Sequence, residues 1–133
     1  MLKGRCYCGA VRYETTGPPT QESVCHCSIC RRTTGAPFVA WFSVPLSSFT
    51  LSGDTTTFQS SSAASRRFCA KCGTQLTFYS SHHPDLIDIT TCSLEHPEQV
   101  PPVDHIYGES RVPWVKLGDG LPMHPDARPT KAS

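Results

Sequence analysis

Cys25-His26-Cys27-Ser28-Ile29-Cys30 puts three thiols into six residues, and two further groups frame it: Cys6-Tyr7-Cys8 upstream and Cys69-Ala70-Lys71-Cys72 downstream. Two residues between thiols let a tight turn aim both sulfurs at one ion about 2.3 Å away, while turn N–H groups solvate the thiolates. Gly73 directly after Cys72 fits such a turn, which needs a residue that tolerates positive φ. Seven of the eight cysteines belong to these groups, and the spacing reads as zinc binding.

The rest of the chain explains why metal would be needed. At 133 residues it has the length of one domain, yet it carries only 26 Leu, Ile, Val and Phe side chains, close to the level at which apolar burial alone stops ordering a chain. A disulfide framework or a structural metal offsets that deficit. Cys6 comes so early that no secretory signal with an apolar segment of about 7–15 residues fits ahead of it. The expected location is therefore cytoplasmic, where thiols stay reduced and serve as metal ligands or catalytic groups more often than as bridges. No apolar run approaches the roughly 18–20 residues that span a bilayer. A formal net charge of +1, with basic residues scattered except at Arg31-Arg32 and Arg66-Arg67, excludes a nucleic-acid footprint. Each arginine pair lies beside a cysteine group and reads as a solvated pair or as a holder of an anionic ligand.

Short alternating or aromatic-rich runs predict strands at 11–13, 38–44, 49–51, 55–59, 75–79, 86–91, 105–107 and 114–117. Ser52-Gly53-Asp54 predicts a hairpin between 49–51 and 55–59. With 12 prolines little room remains for helix, and the expected turn of helix is Ser28 to Thr33. The expected domain is 1–122, followed by a tail, 123–133, lying along the surface or mobile.

Seven thiols divide into four for a closed site and three for an open one, and three protein ligands on an ion is the arrangement where chemistry can occur. Either Cys6, Cys8, Cys69 and Cys72 close one site and leave Cys25, Cys27 and Cys30, or the two Cys-x-x-Cys pairs join and leave Cys6, Cys8 and Cys25. Spacing alone does not choose. The first division has the advantage that its open site comes from a single short loop.

The blocks Cys6-Tyr7-Cys8-Gly9-Ala10-Val11-Arg12-Tyr13, Cys25 to Arg32 and Phe68-Cys69-Ala70-Lys71-Cys72-Gly73-Thr74-Gln75-Leu76 resemble the glutathione-dependent formaldehyde-activating family, which includes centromere protein V. His105-Ile106-Tyr107, Trp114-Val115 and Asp119-Gly120-Leu121-Pro122 are similar to that family's C-terminal pattern. The resemblance implies a mainly β protein with a β-tent fold of small antiparallel sheets stapled by zinc–cysteine clusters. It also implies two zinc ions per chain: structural zinc on Cys6, Cys8, Cys69 and Cys72, and a catalytic ion on Cys25, Cys27 and Cys30. The implied activity is that of a carbon–sulfur lyase joining the thiol glutathione to formaldehyde, a small aldehyde.

No residue declares itself as the general acid. His26 is expected to be an exposed loop residue or a hydrogen-bond partner of a thiolate, His82 and His83 solvated turn residues, and His105 a packed residue or one that points toward the open site. Cys92 is expected to be a buried small hydrophobe, the fourth ligand of the second ion, or a reactive thiol. The last option gives a rival, a zinc-bearing methionine sulfoxide reductase attacking through Cys92, which leaves Cys-x-Cys and the 25–30 group without a role. A non-catalytic zinc-stabilised binding or carrier module is the alternative from another class.

Overall fold

The computed structural model describes residues 1–129. Ten strands follow one another as β1 (Leu2–Arg5), β2 (Arg12–Thr15), β3 (Thr20–Cys25), β4 (Val39–Pro45), β5 (Phe49–Ser52), β6 (Thr55–Gln59), β7 (Ala64–Cys69), β8 (Gln75–Ser80), β9 (Leu86–Thr90) and β10 (Asp104–Ile106). One α-helix, α1 (Ser28–Thr34), and four single turns of 3-10 helix complete the set. The protein is mainly β, as expected.

The strands form two sheets. The smaller has the order β1-β2-β5 and the larger β10-β3-β4-β9-β8-β7-β6. All pairings are antiparallel except β10 on β3. Pleating sorts the side chains of β4: Phe42 and Val44, both 0% exposed, enter the main core with Tyr13, Leu76, Ile87 and Ile89, while Trp41 joins Cys25 and Cys30 in a second cluster. That alternation lets one strand serve both the core and the cysteine site.

Three expectations are corrected. Ser52-Gly53-Asp54 is not a hairpin turn: β5 pairs with β2 in the smaller sheet and β6 with β7 in the larger, so the turn is a corner between sheets. Gly53 has φ +105°, and a β-carbon there would run into the Ala10 carbonyl and come within 2.9 Å of Val11 Cα. Only glycine fits. The run 114–117 is no strand, because Trp114 is exposed and no neighbouring strand pairs with it. Strands β1, β3 and β7 were not expected; Leu-Lys-Gly-Arg, Thr-Gln-Glu-Ser-Val-Cys and Ala-Ser-Arg-Arg-Phe-Cys lack a clean apolar alternation.

The chain after β10 is held against it. The His105 N–H donates to Pro122 O (2.9 Å), His124 N–H to His105 O (2.8 Å) and Tyr107 N–H to Asp126 O (2.8 Å). Arg128 grips buried Asp104 with Nε and Nη2, 2.6 and 2.8 Å from the two carboxylate oxygens, and Nη2 also donates to Glu22 O. Residues 122–129 therefore form a strap over β10 and β3; the remainder of the expected tail lies outside the described residues.

Candidate metal centres

The β1–β2 turn carries Cys6 and Cys8, and the β7–β8 turn carries Cys69 and Cys72; their four sulfurs lie within 4.8 Å of one another. Cys6 Sγ is 3.6 Å from Cys8 Sγ, which is 3.8 Å from Cys69 Sγ. Four thiolates set tetrahedrally at about 2.3 Å from one ion stand about 3.8 Å apart, so the donor set fits a closed site. Backbone N–H groups point at the sulfurs: Val11 donates to Cys6 at 3.3 Å, Lys71 and Cys72 to Cys69 at 3.4 Å each. Gly73 has φ +80°, as the knuckle requires. The Thr74 hydroxyl, with backbone N–H groups behind it, holds the Cys72 thiol down at about 5.

Cys25 ends β3, Cys27 caps α1 and Cys30 lies in its first turn, and these three sulfurs also lie within 4.8 Å of one another. The Cys27 sulfur accepts the Cys30 N–H at 3.2 Å, in the place where serine or aspartate oxygen usually caps a helix. Hydrogen bonds from Cys25 and Cys30, then the N–H groups of Cys30 and Ile29, push the Cys27 thiol down to about 2. Cys25 moves the opposite way, raised by its thiol partners Cys27 and Cys30 and then by burial. Cys25 and Cys30 are buried, while Cys27 is half-buried and gives the cluster its access. Val39, Phe78, Ile106 and Tyr107 pack around it. Tyr107 takes a left-handed backbone conformation, φ +56°, and its phenol is held protonated by burial and by the nearby thiols. Among the described residues no fourth His, Cys, Asp or Glu completes this set.

Three sequence-based expectations for single residues change. His26 is neither exposed nor bonded to a thiolate: it is 0% exposed, with Nε2 2.9 Å from His105 Nδ1. His105 Nε2 lies 2.7 Å from Asp119 Oδ2. The carboxylate accepts only, so with both rings neutral His105 carries its proton on Nε2 and accepts at Nδ1; His26 then donates from Nε2, and its buried Nδ1 has no partner among the described residues. Cys92 is exposed in a 3-10 turn and belongs to neither cluster, so it is not a buried hydrophobe or a fourth ligand. Arg66 is buried rather than solvated, and both its terminal nitrogens are engaged with Cys30. His82 and His83 are exposed, as expected, and His105 is packed.

Asp119 enters the sequence reading only within a block similar to the family's C-terminal pattern, with no role for its side chain, and Asp104 does not enter it, since a lone acidic residue carries no periodic signal. A shallow depression of about 420 Å³ on the smaller sheet, lined by Lys3, Arg12, Glu14 and Thr50 among others, contains none of the clustered cysteines. The chemistry concentrates elsewhere.

Two packed sheets, one complete set of four thiols and a second set one donor short define a class of small, cysteine-stapled β proteins. The chain belongs to the glutathione-dependent formaldehyde-activating enzyme family, whose profile matches residues 1–110. A Halomonas elongata protein named "Putative glutathione-dependent formaldehyde-activating enzyme" is 29% identical over 135 residues, covering 88% of this chain and 81% of its own. An uncharacterized lyase of Schizosaccharomyces pombe is 34% identical over 76 residues, covering 57% of this chain and 56% of its own. The crystal structure of a Rhodobacter sphaeroides protein shares the fold, with a TM-score of 0.64 at 22% identity over 91% of this chain and 98% of that one. No helix of the described residues is long and apolar enough to cross a membrane.

Proposed function

We propose that this protein is a zinc-dependent carbon–sulfur lyase of the formaldehyde-activating type, adding the thiol of glutathione to formaldehyde or a related small aldehyde. Cys6, Cys8, Cys69 and Cys72 hold structural zinc, and Cys25, Cys27 and Cys30 hold the second, catalytic ion within a domain spanning residues 1–122. The observation that carries this reading is the convergence of exactly those three sulfurs, one donor short of a tetrahedron, behind a half-buried thiol. Membership of the family supports it. A reducing compartment such as the cytoplasm keeps all seven thiols available.

When bound, zinc supplies a centre that deprotonates an incoming thiol at neutral pH. Three thiolates more than offset the ion's charge, which disfavours water activation and suits sulfur as the fourth partner. The overall change forms one carbon–sulfur bond, moves the carbonyl π pair onto oxygen and ends with the thiol's proton there. The chain's residues hold the geometry for this: α1 fixes Cys27 and Cys30, β3 fixes Cys25, and the wall of Val39, Phe78 and Ile106 limits water. Tyr107 offers a neutral O–H beside the cluster. Arg31, half-buried, and Arg32, exposed, lie on α1 beside Cys30 and suit the carboxylates of glutathione.

Exchange spectroscopy of glutathione with formaldehyde tests the reading. The protein should accelerate exchange, and Cys27→Ser should abolish the acceleration. Equal rates with and without the protein would leave a zinc-stabilised carrier instead.

A further inference from the structure

Arg66 lies in β7 directly opposite Phe78 of β8 and is 4% exposed. Its two terminal nitrogens each lie 3.6 Å from Cys30 Sγ, and Nη1 also reaches Thr33 Oγ1 at 3.4 Å. The guanidinium carbon sits 5.0 Å from the Phe78 ring centre and 5.8 Å from that of Trp41. Among the described residues it makes no ion pair with a carboxylate. Asp88 is near enough to feel its charge, but burial pushes that carboxyl toward its neutral form, and the Ser43 hydroxyl donates to it at 2.6 Å.

An arginine cannot shed its proton inside a protein, and a buried cation persists only when paired. Two aromatic faces contribute attraction but no countercharge. The acceptor that the fork meets is the sulfur of Cys30, and a neutral thiol is too weak an acceptor to compensate a buried guanidinium. A divalent ion on three thiolates carries one net negative charge, which matches the single positive charge of Arg66, and a fourth thiolate adds a second.

We infer that Arg66 is the counter-ion of the Cys25–Cys27–Cys30 cluster, a positioning residue that holds the Cys30 sulfur in place and favours an anionic sulfur as fourth ligand. This rests on the reading of that cluster as the open metal site. Hydrogen bonds to Cys30 draw charge away from the ion, so it accepts a further anion more readily than an unsupported three-thiolate centre does. The same engagement removes Arg66 as a direct holder of glutathione carboxylates.

The test compares zinc affinity by chelator competition in the full chain for wild type, Arg66→Met and Arg66→Lys, with Cys27→Ser as the control. Loss of an outer-sphere partner typically weakens metal binding roughly 10- to 100-fold. Arg66→Met should weaken one of the two ions by that much and leave the other unchanged, and Arg66→Lys, which keeps the charge, should recover part of the loss. Both ions retained at wild-type affinity in Arg66→Met overturns the inference, even if the variant melts earlier. If Arg66→Met does not fold, Arg66→Gln, which keeps N–H donors without the charge, is read by the same two outcomes. The underlying reading fails separately: Cys27→Ser would then leave the metal content unchanged.

Discussion

Cys27 does two things at once, capping α1 by accepting the Cys30 N–H and presenting the least buried sulfur of its cluster. Serine preserves the first role, since its oxygen is a favoured helix cap, and removes the second. Cys27→Ser is therefore expected to keep the fold, with melting shifted by only a few degrees, on the order of 1 kcal/mol, while zinc falls from two ions to one per chain. Elemental analysis beside a thermal scan checks this; two ions retained, or a collapsed fold, contradicts it. His105 is a different kind of residue. Leucine there would leave the buried His26 Nε2–H without its acceptor and should cost about 1–3 kcal/mol in denaturant unfolding. The cysteines were legible in the sequence because their spacing is local. The roles of His26, Asp119 and Arg66 were not, because each depends on a partner 14 to 79 residues away that only the fold brings near.

At the scale of elements, the corner at Gly53 and the strap over β10 make the sharpest expectations. Gly53→Ala meets both a positive φ and the Ala10 backbone, and should destabilise by about 2–4 kcal/mol. The turn itself was visible in the sequence as Ser-Gly-Asp; what it joins was not, because a local turn signal does not say which sheet receives the next strand. Arginines explain another gap. β7 buries Arg66 on one face, whereas a reading by apolar alternation expects charged residues to face water. In the strap, burial raises the Asp104 carboxyl, but hydrogen bonds and charge from Arg128 outweigh it and leave the pKa below the ordinary value. A depressed folded pKa means stabilisation that is present above the unfolded value, about 3.9, and lost as pH falls through the folded one. Protection from amide exchange, relative to the intrinsic rate, at Tyr107 and His124, which bond Asp126 and His105, should be high at pH 7 and fall only below about pH 4. Arg128→Ala should lower it already at pH 7. Exchange unaltered by that substitution would mean that the ion pair does not hold the strap.

For the molecule as a whole, the four-thiol cluster joins the smaller sheet, through the β1–β2 turn, to the larger one, through the β7–β8 turn. Ligating all four sulfurs to one ion turns two packed sheets into a cross-linked body, and binding free energy becomes folding free energy. Chelation, or Cys6→Ser, should therefore unfold the protein at moderate temperature, in contrast to Cys27→Ser. That asymmetry was foreseeable from the count of seven thiols, although the pairing of Cys6 and Cys8 with Cys69 and Cys72 required the two turns to meet in space. Zinc-edge X-ray absorption of the two-zinc protein, before and after glutathione, measures the remaining claim. The average ion should see about 3.5 sulfurs near 2.3 Å, rising to about 4 with the added thiol; a count already at 4, or unchanged by glutathione, would contradict an open site for sulfur.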